Sequence, residues 1–269
     1  MGLIPITFFD CVVALCYENE KREVKGLASG FLYAFHTPTE KNPNNYRPFL
    51  VTNRHVFEGL ETVLVRFNPK KIDAPAKIYS LPLLNEKKEP IWVAHPDKEI
   101  DVAVVPANCE QLDEAAIQYH LFRSNTCVAD VKKLNELGIM EGDFAYVLGF
   151  PLGLIGENRN TVIARSGTIA RIREALAKNN NEFLIDAFVF PGNSGGPVVS
   201  KPEAFAIEKT KRQMSSYLIG IVKSYIEINI QQEHPRIIVK QNSGLAAVHP
   251  VDYINETIDF ALEREKESK

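Results

Sequence analysis

Apolar residues fall in short runs broken by polar or charged turns. Residues 11–17 and 26–35 are two such runs on either side of a charged turn at 18–22, the pattern of a β-hairpin. A polar loop rich in Pro and Asn covers 37–48. Further short strands are expected at 49–52, 62–67, 91–94 and 102–105. No helix-period segment lies between them, which argues for an antiparallel all-β unit rather than a wound parallel sheet. Residues 110–121 and 128–137 carry mixed, helical-looking patterns and read as a linker. A second strand series follows at 144–148, 161–164, 167–172, 183–189, 197–200, 217–223 and 244–248. Loops at 174–182 and 201–216 interrupt it. From 251 to 264 the period changes: Ile254, Ile258, Ala261 and Leu262 recur at helical spacing, so an amphipathic helix closes the pattern. The expected division is a β-barrel over 1–110, a linker over 111–140, a second barrel over 141–250 and a helix over 251–269.

Composition narrows the class. The 269 residues are 45% hydrophobic and 24% charged, with a net charge of −3. That is ordinary for a globular chain with a sizeable core. Without a basic field, nucleic acid and anionic membranes are not expected partners. The N-terminal apolar run is broken by Pro5 and Asp10 and has no basic flank, so it is not expected to be a signal peptide or a span. Ile6 stands where a myristoylation pattern needs Ser or Thr. Four scattered cysteines (Cys11, Cys16, Cys109, Cys127) are too few for a disulfide framework and point to a reducing, cytoplasmic setting. The Asn255-Glu256-Thr257 sequon then carries no weight. No His/Cys cluster has metal-ligand spacing, and no metal or cofactor is expected.

The chemistry gathers at Phe190-Pro-Gly192-Asn-Ser194-Gly-Gly-Pro197. Glycines on both sides of a serine allow a sharply folded backbone whose amides converge, the geometry of an acyl-transfer nucleophile beside an oxyanion hole. A plain glycine turn is the alternative for such a loop. A serine hydroxyl needs a base, and His55, directly after the 49–52 strand, is placed to be one. The other histidines (His36, His95, His120, His234, His249) read as surface or satisfied core residues. Asp101 opens the apolar run 102–105, where a buried charge is costly unless hydrogen-bonded, and an imidazole N–H would supply that bond. Asp97 and Glu99 fit an exposed approach loop better.

Taken in order, Val51-Thr-Asn-Arg-His55-Val, Ile100-Asp101-Val-Ala-Val and Gly192-Asn-Ser194-Gly-Gly-Pro resemble the motifs of the trypsin-like, chymotrypsin-fold serine proteases. Ala28-Ser-Gly-Phe31, the 142–153 segment, Ser166-Gly-Thr-Ile169 and Asn242-Ser-Gly-Leu-Ala-Ala-Val248 are most similar to the HtrA/Deg branch. The resemblance spans about residues 10 to 255. It implies two antiparallel six-stranded β-barrels with a site in the cleft between them. It also implies Ser194 as nucleophile, His55 as general base and then acid, Asp101 as the residue orienting His55, and the Gly192 and Ser194 amides as oxyanion hole. Phe188 would floor the specificity pocket, with Val189, Gly220, Ile221 and Val222 as walls. With no acid at Phe188, a small or medium apolar P1 side chain is expected. Strand 220–224 would pair with a peptide or protein substrate.

The chain departs from the family in two respects. Only a helix is expected after the 244–248 strand, so no PDZ module is expected there, and no activation through an Ile-Val-Gly-Gly start is expected. Asn193 occupies the position whose carboxylate, in trypsin-like zymogens, captures a freed N-terminal ammonium. Control by loop contacts, substrate or a regulatory protein partner is therefore expected instead. The competing reading is a pseudoprotease that binds peptide without cutting it. An α/β-hydrolase would need the order Ser, Asp, His and a helix after the serine, neither of which is present.

Overall fold

The computed structural model describes residues 2–203, 211–232 and 237–267, and in it the apolar runs pair into two successive sheets. The first contains β1 (Val12–Glu18), β2 (Val24–His36), β3 (Tyr46–Thr52), β4 (Thr62–Phe67), β5 (Lys77–Pro82), β6 (Val93–Ala94), β7 (Ala103–Pro106) and β8 (Phe122–Arg123). Short helices α1 (Ile6–Phe9), α2 (Arg54–Phe57) and α3 (Cys109–Glu114) lie before β1, between β3 and β4, and after β7. The spatial order is β5-β4-β1-β2-β3-β7-β6, with β8 parallel to β2. This unit is a half-barrel rather than a closed six-stranded one. No ladder joins β5 to β6 among the described residues; the segment between them folds back on itself through a bridge between Leu84 and Pro90 and an Ile91 N–H bond to the Leu83 carbonyl at 3.0 Å. The physical reason is local: β6 is two residues long, and Pro90 has no N–H to extend a ladder.

α4 (Val131–Leu137) lies in the connection, capped by Asp130, whose side chain accepts the Lys133 N–H at 2.8 Å. The second unit closes. Its strands β9 (Phe144–Gly149), β10 (Ile163–Arg171), β11 (Phe183–Asp186), β12 (Pro197–Ser200), β13 (Leu218–Gln232) and β14 (Ile237–Pro250) form a barrel in the order β10-β11-β14-β13-β12-β9. The two runs expected at 161–164 and 167–172 are one strand, β10. Gly167 lies within it because β11 passes so close that a Cβ there would sit 2.4 Å from the Asp186 carbonyl. Between β10 and β11 stands the one-turn helix α5 (Arg173–Leu176). Strands β13 and β14 pair along 11 residue couples, well beyond the barrel. Residues 204–210 of the charged loop lie outside the described residues, as does His234.

The closing helix α6 (Val251–Glu267) buries Ile254, Ile258 and Ala261 of the stripe its periodicity predicts, with Val251 ahead of them, while Leu262 is half-buried. That stripe joins one continuous core with Tyr33, Phe49 and Val104 of the first sheet and Leu148, Val199 and Ile221 of the second. The helix therefore packs across the seam between the units, and the cleft is framed on a shared hydrophobic layer.

Candidate active site

β3 ends at Thr52, and the next residues turn into α2, so His55 stands at the rim of a rigid strand. Its Nδ1–H donates to Asp101 Oδ2 at 2.6 Å, and its backbone N–H donates to Asp101 Oδ1 at 3.0 Å. Both carboxylate oxygens are thus committed to one histidine, which leaves Nε2 free to accept a proton. The bond to Asp101 is the main reason the His55 pKa is raised, with the aspartate charge adding to it and burial opposing it. Burial pushes the Asp101 carboxyl up, but the side-chain bond, charge and backbone N–H of His55 outweigh it, and the carboxyl ends below its ordinary value.

Asp101 is held from three directions. Asn53 Nδ2 donates to its carbonyl at 2.6 Å. Arg54, the next residue along, clasps the approach loop through the His95, Asp97 and Lys98 carbonyls. The Asp101 N–H donates to His249 Nε2 at 3.1 Å, while His249 Nδ1 donates to the Asn181 carbonyl at 2.8 Å. These two bonds require the neutral Nδ1–H tautomer of a fully buried histidine. Its pKa is lowered, by burial first and by the nearby Lys223 charge.

Across the cleft, Ser194 sits in the loop between β11 and β12. Gly192 has φ +97° there, a conformation that only glycine adopts cheaply. The loop carries its own internal bonds: Asn193 N–H to the Phe190 carbonyl at 2.9 Å, Gly196 N–H to the Asn193 carbonyl at 2.9 Å, and Phe190 N–H to Asn193 Oδ1 at 3.1 Å. Neither the Gly192 nor the Ser194 N–H has an acceptor among the described residues. Two unpaired amides on alternate residues beside a serine hydroxyl form a ready anion receptor.

His55, Asp101 and Ser194 line one cavity of about 240 Å³, with Val189, Phe190, Pro191, Val222, Lys223, Ser224 and Tyr225. No hydrogen bond among the described residues joins Ser194 to His55. Such bonds are often long before substrate is bound and tighten in the complex. Residues 28–204, more than half of the chain, match the trypsin-like peptidase domain. The chain belongs to that family. No curated protein matches it.

Within this trypsin-like peptidase domain, some of the expected pocket residues lie elsewhere. Phe188 does not floor the cavity: it is 54% exposed, stacked on Phe190 at 6.5 Å and set against Gly244. Gly220 and Ile221 do not wall it either, because they pair with Val198 and Pro197 of β12 and their edge is used inside the barrel. Val189 and Val222 do line it, and the wall continues through Lys223 to Tyr225, past the end of β12. Lys223 is paired with Glu182 at 3.0 Å. From the sequence His249 reads as a surface or satisfied core residue, and it is a satisfied core one, while Ser29 and Asn53 stand only inside motifs; the support all three give the site has no local pattern of its own. His249 left one readable signal, a histidine ending the apolar strand 245–248 directly before a helix.

No helix among the described residues is long and apolar enough to cross a membrane, and none of their His, Cys, Asp and Glu side chains cluster in threes as a metal site.

Proposed function

We propose that the chain is a serine endopeptidase acting through an acyl-enzyme. Ser194 Oγ attacks the scissile carbonyl, and His55 Nε2 takes its proton and later returns it to the leaving amine. Asp101 orients His55 and stabilises its imidazolium. The Gly192 and Ser194 amides receive the developing oxyanion, each such donor being worth about 3 kcal/mol in the transition state. The observation that carries the reading is the meeting, at one cavity, of a carboxylate-bound histidine with a serine flanked by two unpaired amides. The substrate is an extended peptide or protein segment adding as a strand along 223–225, which β12 leaves unpaired. The apolar walls at Val189 and Val222, together with a lysine already neutralised by Glu182, favour a small or medium apolar P1 residue. The motif resemblance supports kinship with the HtrA/Deg branch. Four free thiols suit a reducing, cytoplasmic compartment.

Incubation with a peptide library tests the reading. Cleavage after apolar residues is expected. Cleavage mainly after Arg or Lys contradicts the pocket assignment, and peptide capture without any cleavage supports the pseudoprotease instead.

A further inference from the structure

The two unpaired amides need their peptides held, one by a bond from outside the serine loop and one by a bond within it. In a trans peptide the N–H points away from the C=O, so fixing one carbonyl fixes the next residue's N–H. The Pro191 carbonyl accepts from Leu152 N–H at 2.6 Å, which turns the Gly192 N–H the other way. The Asn193 carbonyl accepts from Gly196, which does the same for the Ser194 N–H. Gly192 has no side chain to resist rotation, so its peptides could turn over at little steric cost.

Ser29, on β2 of the other unit, closes that freedom. The residue is fully buried and all of its polar groups are used. Its N–H donates to the Ser194 carbonyl at 3.0 Å, and its hydroxyl donates to the Gly192 carbonyl at 2.7 Å. The same hydroxyl accepts from Phe150 N–H at 3.0 Å, and its own carbonyl accepts from Thr52 Oγ1 at 2.8 Å. The hydroxyl has this room only because residue 149 is glycine: a Cβ there would sit 2.5 Å from Ser29 Oγ. One residue of the half-barrel therefore grips the 192–193 and 194–195 peptides, each the next link after an amide that faces the cleft, while the peptides of those amides are held by Leu152 and Gly196. Asn193 offers no substitute grip for a terminal ammonium. Its Oδ1 is taken by Phe190, and its Nδ2 is a buried donor without a partner among the described residues.

We propose that Ser29 is the positioning residue of the oxyanion hole: from the opposite unit, through a neutral hydroxyl bond and its own N–H, it fixes the 192–193 and 194–195 peptides, the next links after the two amides, and so restricts rotation at Gly192 and Ser194. The proposal rests on the reading of Ser194 as nucleophile. The test compares wild type with Ser29→Ala and Ser29→Cys, the latter keeping a weak donor. In Ser29→Ala, kcat is expected to fall about 10²-fold, the size of a lost oxyanion donor, with KM changed less than about threefold. Inhibition by a peptide aldehyde, whose adduct uses the hole, should weaken by a similar factor. Binding of a product-like peptide and the apparent pKa of kcat/KM should not move. Ser29→Cys should fall between the two, and it carries the same test if the alanine variant does not fold. Unchanged kcat, or an equal loss in kcat and product binding, overturns the proposal. The amide NMR resonance of Gly192 gives a readout that needs no turnover: one sharp peak in wild type, broadened or doubled in the variant. An unchanged peak overturns the proposal even if the wild type proves inactive, whereas inactivity alone overturns only the nucleophile reading.

Discussion

On the His55 side of the cleft, the bonds that set the histidine and the Asp101 N–H run through groups that titrate. Asp101 binds His55 by its carboxylate and rests its own N–H on His249. On the Ser194 side, the loop is set by carbonyls, backbone N–H groups, an amide side chain and one hydroxyl, all of them neutral. The first side can therefore be tuned and disabled by pH, while the second keeps its shape across the same range. A single cleft thus separates a titrating side from a neutral one, and each is held in part from the other's unit. Ser29 of the half-barrel holds the serine loop, and His249 of the closed barrel holds the aspartate.

Asp101→Asn breaks the titrating side hardest. It removes the main cause of the raised His55 pKa and lets the imidazole take the wrong tautomer, so kcat should drop about 10⁴-fold. The pH profile sharpens the point. A raised pKa means His55 is neutral, and able to act as base, only above a value higher than the ordinary ~6.5. Wild-type kcat/KM should therefore rise with pH through a midpoint above that value. The residual activity of Asp101→Asn should rise through a lower one. A shared midpoint in both proteins would mean that the couple does not set the base. The Ser29 variants, by contrast, should lose rate with no shift in midpoint.

His249→Phe is the smaller break. It keeps the volume but leaves the Asp101 N–H and the Asn181 carbonyl without their partner, at a cost of about 2 kcal/mol in stability, with kcat/KM falling roughly tenfold. His249→Gln can accept and donate at the same two places and should recover most of both. The sign of the pH effect is fixed by the lowered pKa. Below about 6.5 the unfolded chain takes up a proton that buried His249 refuses, so wild-type stability falls as pH drops through that window. His55 works in the opposite direction, so the difference between wild type and His249→Gln isolates the His249 contribution. Thermal melts at pH 7 and pH 5 measure it, and an equal drop in both proteins would contradict the assignment.

The central strands were legible as continuous apolar runs, because β1, β2, β7 and β12 are buried on both faces, and α6 was legible because its buried stripe recurs at helical spacing. β5 was not: five of its six residues are exposed and one is intermediate, so no buried alternation marks it. The outer part of β13 and β14 was hidden for a related reason. Ile228 and Ile230 are exposed beside Glu227 and Asn229, and bulges after Val222 and Tyr225 break the alternation. His55, Asp101 and Ser194 could be singled out one by one, since each adjoins an apolar run or a glycine cluster. What lies behind them could not. Ser29 and His249 act through backbone groups 163 and 148 residues away in the chain, and no local pattern announces a partner at that distance. Phe188 misled for the complementary reason. Counting back from the serine gives its place in the chain, but only packing reveals that it stacks outward on Phe190.

The central claim is that Ser194 is an activated nucleophile, and covalent labelling reads it most directly. Wild type and Ser194→Ala are incubated with a fluorophosphonate and examined by intact-protein mass spectrometry, with peptide hydrolysis followed in parallel. One phosphonyl adduct on wild type, mapped to Ser194, is predicted, with no adduct on the alanine variant and a loss of turnover of about 10⁶-fold. Equal labelling of the two proteins, or comparable hydrolysis by Ser194→Ala, would contradict the account.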